Sequence, residues 1–289
     1  MEKRGGFFKS NWAYLVWFAI YYTIAVFLIY MCTNDFATSF FLSFIIYGAS
    51  VGLALSPVGE SILRLMQGIK PIQTEQDREY LMPIFEEVYA EALKFTPELN
   101  EDIQLYISES MTVNAFAIGR KTIAVTRGAI YTFSPEELKG ILSHEFGHMA
   151  NGDTKSLLIN VVGNGFFSLI IFVFRFIMLL IQNITVAFSG KNIVVAVLAI
   201  ISFLFRLLVD LGIIVFVFLG NVILALNSRY SELLADEYAF QIGYGEELKN
   251  SLYIISKLSL PEKLTLMERL TASHPYTTAR IEKLEESGA

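Results

Sequence analysis

His144-Glu145-Phe146-Gly147-His148 decides how this chain is read. Two histidines four residues apart on a helix stand one turn above each other on the same face. Both imidazoles can then reach one tetrahedral zinc ion. Glu145 between them lies beside the metal's open position, where it can take a proton from water. The chain holds 3 histidines in 289 residues, so this spacing weighs against an accident of composition. The bland alternative is a surface helix with two solvated histidines.

The flanking residues place the motif on a helix. Ser134-Pro135-Glu136-Glu137 reads as a helix start: serine caps, proline suits the first helical position, and Glu137 completes a capping box. Leu138, Ile141 and Leu142 point toward a core, and Asn151-Gly152 ends the helix. Before it, Ile103–Ile107, Ala115–Ile118 and Thr122–Thr126 read as short strands, the last two joined by a turn at Gly119-Arg120-Lys121. The charged stretch Thr74–Leu93 reads as an amphipathic helix, with Pro83 marking a kink or a restart.

Composition sets the environment. The chain is 54% hydrophobic and 17% charged, with a mean hydropathy of +0.51. That is too apolar for an ordinary globular surface, so part of the chain must face lipid. The net charge of −6 and the lack of a basic run with interleaved aromatics argue against a nucleic-acid partner. One cysteine, Cys32, cannot form an internal disulfide and reads as lipid-facing or packing.

Four apolar tracts carry that hydrophobicity: Trp12–Met31, Phe40–Leu55, Leu157–Phe188 and Ile193–Leu226. Lys3, Arg4, Lys9, Arg64 and Lys70 flank the outer ends of the first pair, and its turn carries no basic residue. The positive-inside rule then puts the N-terminus and the catalytic segments in the cytoplasm. The last two tracts exceed thirty residues, about 45–50 Å as helices against a hydrocarbon core near 30 Å, so they must tilt or continue into the soluble part; the polar and small residues at their cytoplasmic ends favour continuation. Arg175, Arg206 and Asp210 interrupt them; an Arg–Asp ion pair pinning the two helices is the structural reading, and a proton or ion path the functional one. Four regions follow: a membrane hairpin at 1–56, a first protease half at 57–156, a second hairpin at 157–226 and a second protease half at 227–289.

A catalytic zinc site needs a third protein ligand. Candidates lie just after the fourth tract, where Glu232 and Asp236 share one helix face and Ala235 and Ala239 are small enough for a close helix approach. Glu232 could bind the metal, and Asp236 could accept the free ring N–H of a ligand histidine. Taken alone, these two acids would equally describe a solvated helix face.

Several motifs in order sharpen this reading. Asn114-Ala115-Phe116-Ala117, Leu142-Ser143 running into the His144–His148 motif, Ser228-Arg229 leading to Glu232 and Ala235-Asp236, and Ser273-His274-Pro275 with Arg280-Ile281 together resemble the HtpX-type membrane zinc metalloproteases, relatives of the CAAX prenyl proteases. The resemblance spans roughly residues 57–285. It implies Glu232 as third ligand, His274 near the metal (stabilising an oxyanion or capping the resting zinc), and Arg280 packed near the third ligand. The residues alone make His274 a surface histidine at a turn and Arg280 a partner for Glu282 or Glu285. Asn114, Ala115 and Phe116 resemble the edge strand that binds an extended substrate. Ser231 departs from the family, where arginine is common.

The expected architecture is mainly α and integral to the membrane: transmembrane helices plus a zincin-like α+β metalloprotease domain with a small β-sheet. The expected function is a zinc endopeptidase of the cell inner membrane, facing the cytoplasm, acting on protein or peptide substrates, above all misfolded membrane proteins. The alternatives are a CAAX-type prenyl protease and a non-enzymatic membrane protein retaining a zinc site.

Overall fold

The computed structural model describes residues 11–99, 102–163, 165–188, 190, 193–258 and 277–289. Two apolar helices open it, α1 (Trp12–Thr33) and α2 (Phe36–Ala54), joined at Asn34, whose φ of 53° turns the chain, and capped by Asp35 accepting from the Thr38 N–H. The amphipathic α3 (Pro57–Met66) follows. It buries Leu63 and leaves Val58, Ile62, Leu65 and Met66 exposed, a stripe at helical spacing.

A four-stranded sheet comes next: β1 (Ile69–Pro71), β2 (Gln104–Ser108), β3 (Ala115–Ile118) and β4 (Thr122–Thr126), in the order β1-β2-β4-β3. The β2–β4 pair is parallel and the outer two pairs are antiparallel. β3 therefore lies at an edge. Between β1 and β2 runs α4 (Glu75–Phe95), capped by Thr74. Pro83 lies inside it without a restart, although proline removes one hydrogen bond of the helix ladder. Burial of Leu81, Ile84, Phe85 and Val88 on the core side outweighs that loss. Neither β1 nor the short α5 (Arg127–Thr132) is evident from sequence periodicity, because three to six residues give too few repeats.

The motif helix, α6 (Pro135–Asn151), starts with the expected reciprocal cap. The Ser134 N–H donates to Glu137 at 2.7 Å and the Glu137 N–H to the Ser134 hydroxyl at 3.3 Å. Gly152, at φ 80°, ends it in the left-handed conformation that glycine favours. Phe146 is fully buried, stacked on Tyr89 of α4 with ring centroids 5.4 Å apart. A short α7 (Asp153–Leu158) and a π-helical turn (Ile159–Gly163) lead to α8 (Gly165–Phe188). The third tract is thus broken below the membrane helix.

The fourth is unbroken: α9 (Ile193–Gln241) runs 49 residues from apolar sequence into the catalytic half. Four helices among the described residues are long and apolar enough to cross a membrane, those containing Trp12–Thr33, Phe36–Ala54, Ile171–Phe188 and Ile193–Gln241. The chain is a membrane protein. α10 (Gly245–Leu258) and α11 (Thr277–Glu286) complete it.

The first hairpin is fastened to the catalytic part by polar contacts that have no local sequence signal. The Ala13 N–H donates to Asn227 Oδ1 of α9 at 3.2 Å, and Asn11 Nδ2 donates to the carbonyl of Asn151 at the end of α6. One turn further on, Trp17 stacks on Phe216 and lies over Gly220, where any Cβ would strike the indole.

Two glycines on one face of α6 set how closely its neighbours approach. A Cβ on Gly147 would lie 2.9 Å from Ala235 Cα of α9, and one on Gly140 would lie 2.3 Å from the Leu248 amide nitrogen of α10. Backbone cannot yield as a flexible side chain can. Gly140→Ala should therefore destabilise the protein by about 1–3 kcal/mol through overpacking, despite a gain of about 1 kcal/mol in helix propensity. Thermal unfolding of the purified variant checks this; a raised melting temperature would contradict the contact.

Candidate metal centre

α6 presents His144 and His148, and α9 brings Glu232 across the Gly147–Ala235 contact to meet them. His144 Nε2 lies 3.2 Å from His148 Nε2, and each is 3.5 Å from one oxygen of Glu232. Ligand atoms around a tetrahedral zinc at 2.0–2.1 Å stand about 3.3 Å apart, so these three fit one metal ion. They are the group within the described residues whose donor atoms all lie within 4.8 Å of one another.

Each histidine is held by its other nitrogen. His144 Nδ1 lies 2.9 Å from Asp236 Oδ1, and His148 Nδ1 lies 3.0 Å from Asp153 Oδ2. An imidazole N–H donated to a carboxylate fixes the tautomer and turns the far nitrogen toward the metal. Asp236 in turn accepts two hydrogen bonds from Arg280, Nε at 2.8 Å and Nη2 at 2.6 Å, and Arg280 Nη1 is 3.0 Å from Glu232. Arg280 thus bridges the two acids of α9; its contacts run inward, not to Glu282 or Glu285.

The surroundings are strongly anionic and nearly dry. Glu145, Asp153, Glu232 and Asp236 are all at most 9% exposed, against one comparably buried guanidinium, Arg280. Burial opposes protonation of His148, but Asp153 and Glu232 outweigh it and hold its pKa well above the usual histidine range. His144 is raised too: burial and Arg280 act against its charge, and Asp236 and Glu232 prevail. Burial also opposes ionisation of Asp236, yet Arg280 and His144 hold it at about 2. Four carboxylates around one arginine leave a deficit of positive charge, and a field that draws protons to the imidazoles also draws a competing metal cation.

Glu145 points the other way, toward the sheet. Its Oε2 accepts the Ala117 N–H at 2.8 Å, and burial raises its pKa above the usual carboxylate range. Just before β3, Asn114 bonds inward: its carbonyl accepts from the Thr126 N–H, and its own N–H donates to the Thr126 hydroxyl. The alternation of an antiparallel ladder then turns the backbone of Ala115 and Ala117 outward, along the free edge. A cavity of about 580 Å³ follows that edge, with Asn114, Ala115, Phe116, His144, Glu145, His148 and Glu232 in its wall. Tyr14 of α1 and Asn221 of α9 line it on the side of the membrane helices.

The structure thus brings together every expected site residue except His274, which lies outside the described residues. Two further residues emerge. Asp153 lies against His148 and Ala117 anchors Glu145; an acid five residues after the second histidine was the available signal for the first, and the Asn114-Ala115-Phe116-Ala117 motif contained the second without showing its partner.

Fold and site define a membrane metalloprotease. Peptidase family M48 matches residues 75–287, and the chain belongs to that family. It is 30% identical over 202 residues to Protease HtpX of Shewanella halifaxensis, covering 64% of this chain and 67% of that one. With Protease HtpX of Shewanella baltica it shares 28% over 257 residues, covering 83% and 84%. Among solved structures, S. mikatae Ste24p is similar in fold, with a TM-score of 0.51 at 21% identity over 95% of this chain. The present chain spans 63% of that protein's length.

The two carboxylates behind the histidines should tune the metal without binding it. Asp153→Asn and Asp236→Asn are each expected to lower metal affinity by about 10–100-fold, and Glu232→Ala by more, because it removes a ligand. Competition against a chromogenic chelator measures all three; a Glu232→Ala protein with unchanged affinity would place the third ligand elsewhere.

Proposed function

We propose that this protein is a zinc endopeptidase that cleaves extended segments of membrane proteins, in the quality control of misassembled chains, with its catalytic face in the cytoplasm at the cell inner membrane. One observation carries the reading: Glu145, the only carboxylate of the group that neither joins the ligand triangle nor holds a histidine, is fastened by β3 between the ligands and the free strand edge. Two imidazoles and one carboxylate at tetrahedral spacing suit zinc and leave a fourth position for water.

Zinc held by His144, His148 and Glu232 would polarise the scissile carbonyl and acidify water. Glu145, fastened at the Ala117 amide beside the open position, takes the proton from the attacking water and delivers it to the departing amine. Ala115, and Ala117 through its carbonyl, offer outward backbone groups to which a substrate adds as another antiparallel strand, the Ala117 N–H being held by Glu145. Such a strand runs from Ala117 toward Val113. The side chain after the scissile bond then enters the apolar part of the cavity, lined by Phe133, Ile141, Leu248, Leu252 and Ile255. Backbone pairing reads little sequence, which supports action on many unfolded segments. His274, by its family resemblance, is assigned to the oxyanion side.

The cavity's membrane end, at Tyr14 and Asn221, supports substrates drawn from the bilayer. The exposed apolar stripe of α3 supports that helix lying along the membrane surface beside the site. In this reading 57–156 and 227–289 are two halves of one protease domain, split by the second hairpin. The prenyl-protease alternative is separated by assay: a CAAX-type enzyme requires a prenylated peptide, whereas this reading expects cleavage of unprenylated, unfolded protein.

Glu145→Gln should abolish cleavage of an unfolded protein such as casein while metal content and melting temperature stay at wild-type values. Turnover near wild type in that variant would remove Glu145 from the mechanism.

The orientation is tested by labelling in a Cys32→Ala background. Gly190→Cys should react with an impermeant maleimide from outside intact cells, and Lys121→Cys only after permeabilisation. The opposite pattern would invert the topology.

A further inference from the structure

The strand edge at the metal centre has a direction relative to the bilayer. α6 ends at Asn151, whose carbonyl accepts from Asn11 Nδ2, immediately before the membrane helix α1. The last residues of β3 lie at this same end. Thr154, just past α6, donates to the Gly119 carbonyl, and Glu145, between one and two turns back along α6, accepts from Ala117. Ile118 packs with Leu63 of α3, Leu158 of α7 and Val162 of the π-helical turn that leads into α8. The approach to β3 lies at the other end, where Met111 and Thr112 meet Gly128 of α5 and Val113 joins the core that holds Phe133 and Leu138. β3 therefore runs toward the membrane, from Ala115 to Ile118.

α9 gives the height of the metal centre. Its apolar tract ends at Leu226, and α1 holds it at that level through the Ala13 N–H on Asn227 Oδ1. Deeper in, Arg175 Nε of α8 pairs with Asp210 Oδ1 of α9 at 2.8 Å. At 1.5 Å per residue, Glu232 stands about 9 Å beyond Leu226 along the helix axis. About three residues of extended chain cover that distance. The cavity covers it too: Glu232, Ser228, Ala225 and Asn221 recur at helical spacing in its lining, together with Tyr14 of α1 and Asn160 of the π-helical turn.

We infer that the protease takes its membrane substrates in one direction: it cleaves the segment that follows a membrane helix, starting a few residues from the bilayer, and not the segment that precedes one. The inference rests on the endopeptidase reading above. A substrate strand antiparallel to β3 has its N-terminal part at the Ile118 end, beside the membrane, and its C-terminal part at the Val113 end, away from it. A chain that leaves the bilayer after its own helix enters along that course without a turn. A chain whose helix comes after the scissile bond must first pass Val113 and then double back. That detour takes about a dozen residues, for a strand out, a turn and a strand back. The substrates selected are therefore membrane chains whose N-terminus lies across the bilayer from the metal centre.

Two single-span substrates test it, co-reconstituted with the full-length protein in liposomes. Both carry the same apolar helix and the same unfolded, casein-derived segment, placed after the helix in one and before it in the other. Each is made with a spacer of about 5 residues, which reaches about 17 Å, and with one of about 30 residues. Rates are normalised to the fraction of segments on the side of the metal centre. With the short spacer, the substrate carrying its segment after the helix should be cut about tenfold faster or more, because a tether that cannot span gives no effective concentration. With the long spacer the two rates should converge. Equal rates at the short spacer, or faster cleavage of the reversed substrate, would overturn the proposal. A difference that survives the long spacer would overturn it as well, since reach would not be its cause, and so would failure to cut either substrate while free casein is cut. Absence of casein cleavage by the wild type would instead overturn the endopeptidase reading itself, with Glu145→Gln as the blank in every arm.

Discussion

The contact between Gly147 and Ala235 is the constraint on which the rest of this molecule depends. Two ligands lie on one helix and the third on another, with an entire membrane hairpin between them in sequence. Only a glycine inside the histidine motif, facing an alanine, lets the two backbones approach closely enough for Glu232 to come within 3.5 Å of both imidazoles. A methyl group at Gly147 would meet backbone and separate the helices. Because α9 is continuous from the membrane into the site, any tilt of its apolar half is transmitted to Glu232 and Asp236. The membrane part is therefore a structural member of the metal centre, and the hold of α1 on α9 through Asn227 and Trp17 fixes it further.

Charge explains why so many polar groups tolerate burial together. Each acid in the centre has a partner: Asp236 has His144 and Arg280, Glu232 has Arg280, Asp153 has His148, and Glu145 has the Ala117 amide. An unpaired buried carboxylate would cost several kcal/mol. Arg280 offsets part of the negative charge, and a divalent cation held by His144, His148 and Glu232 would offset most of the rest. The division of labour follows from geometry. Asp236 and Asp153 face ring nitrogens, and Glu145 alone faces the strand edge, the arrangement on which the proposed proton transfer rests.

Much of this was legible in the sequence, for identifiable reasons. Local chemistry wrote the cap at Ser134–Glu137, the stop at Gly152 and the strands Ala115–Ile118 and Thr122–Thr126. The unbroken passage of α9 followed from a tract too long for the bilayer. What was not legible depends on distant partners. The fastening of α1 to Asn227 joins residues 214 positions apart, and no periodicity announces it. Asp153 could be seen as an acid near the motif but not as the residue that turns His148, because that depends on the left-handed exit at Gly152. Of the two readings of Pro83, the restart fails because the packing that holds the helix together across it comes from α6, not from its own helix. Arg280 could be read either as a surface ion-pair partner or as part of the centre until α11 was placed.

The central proposal is that two imidazoles from α6 and one carboxylate from α9 would together hold a single zinc ion with one position left open. X-ray absorption at the zinc edge of the full-length protein, loaded with one equivalent of metal, tests it most directly. The account predicts two imidazole nitrogens plus oxygen donors at about 2.0–2.2 Å, with one oxygen donor lost or replaced in Glu232→Ala. A first shell of three imidazoles, or one unchanged by Glu232→Ala, would contradict it.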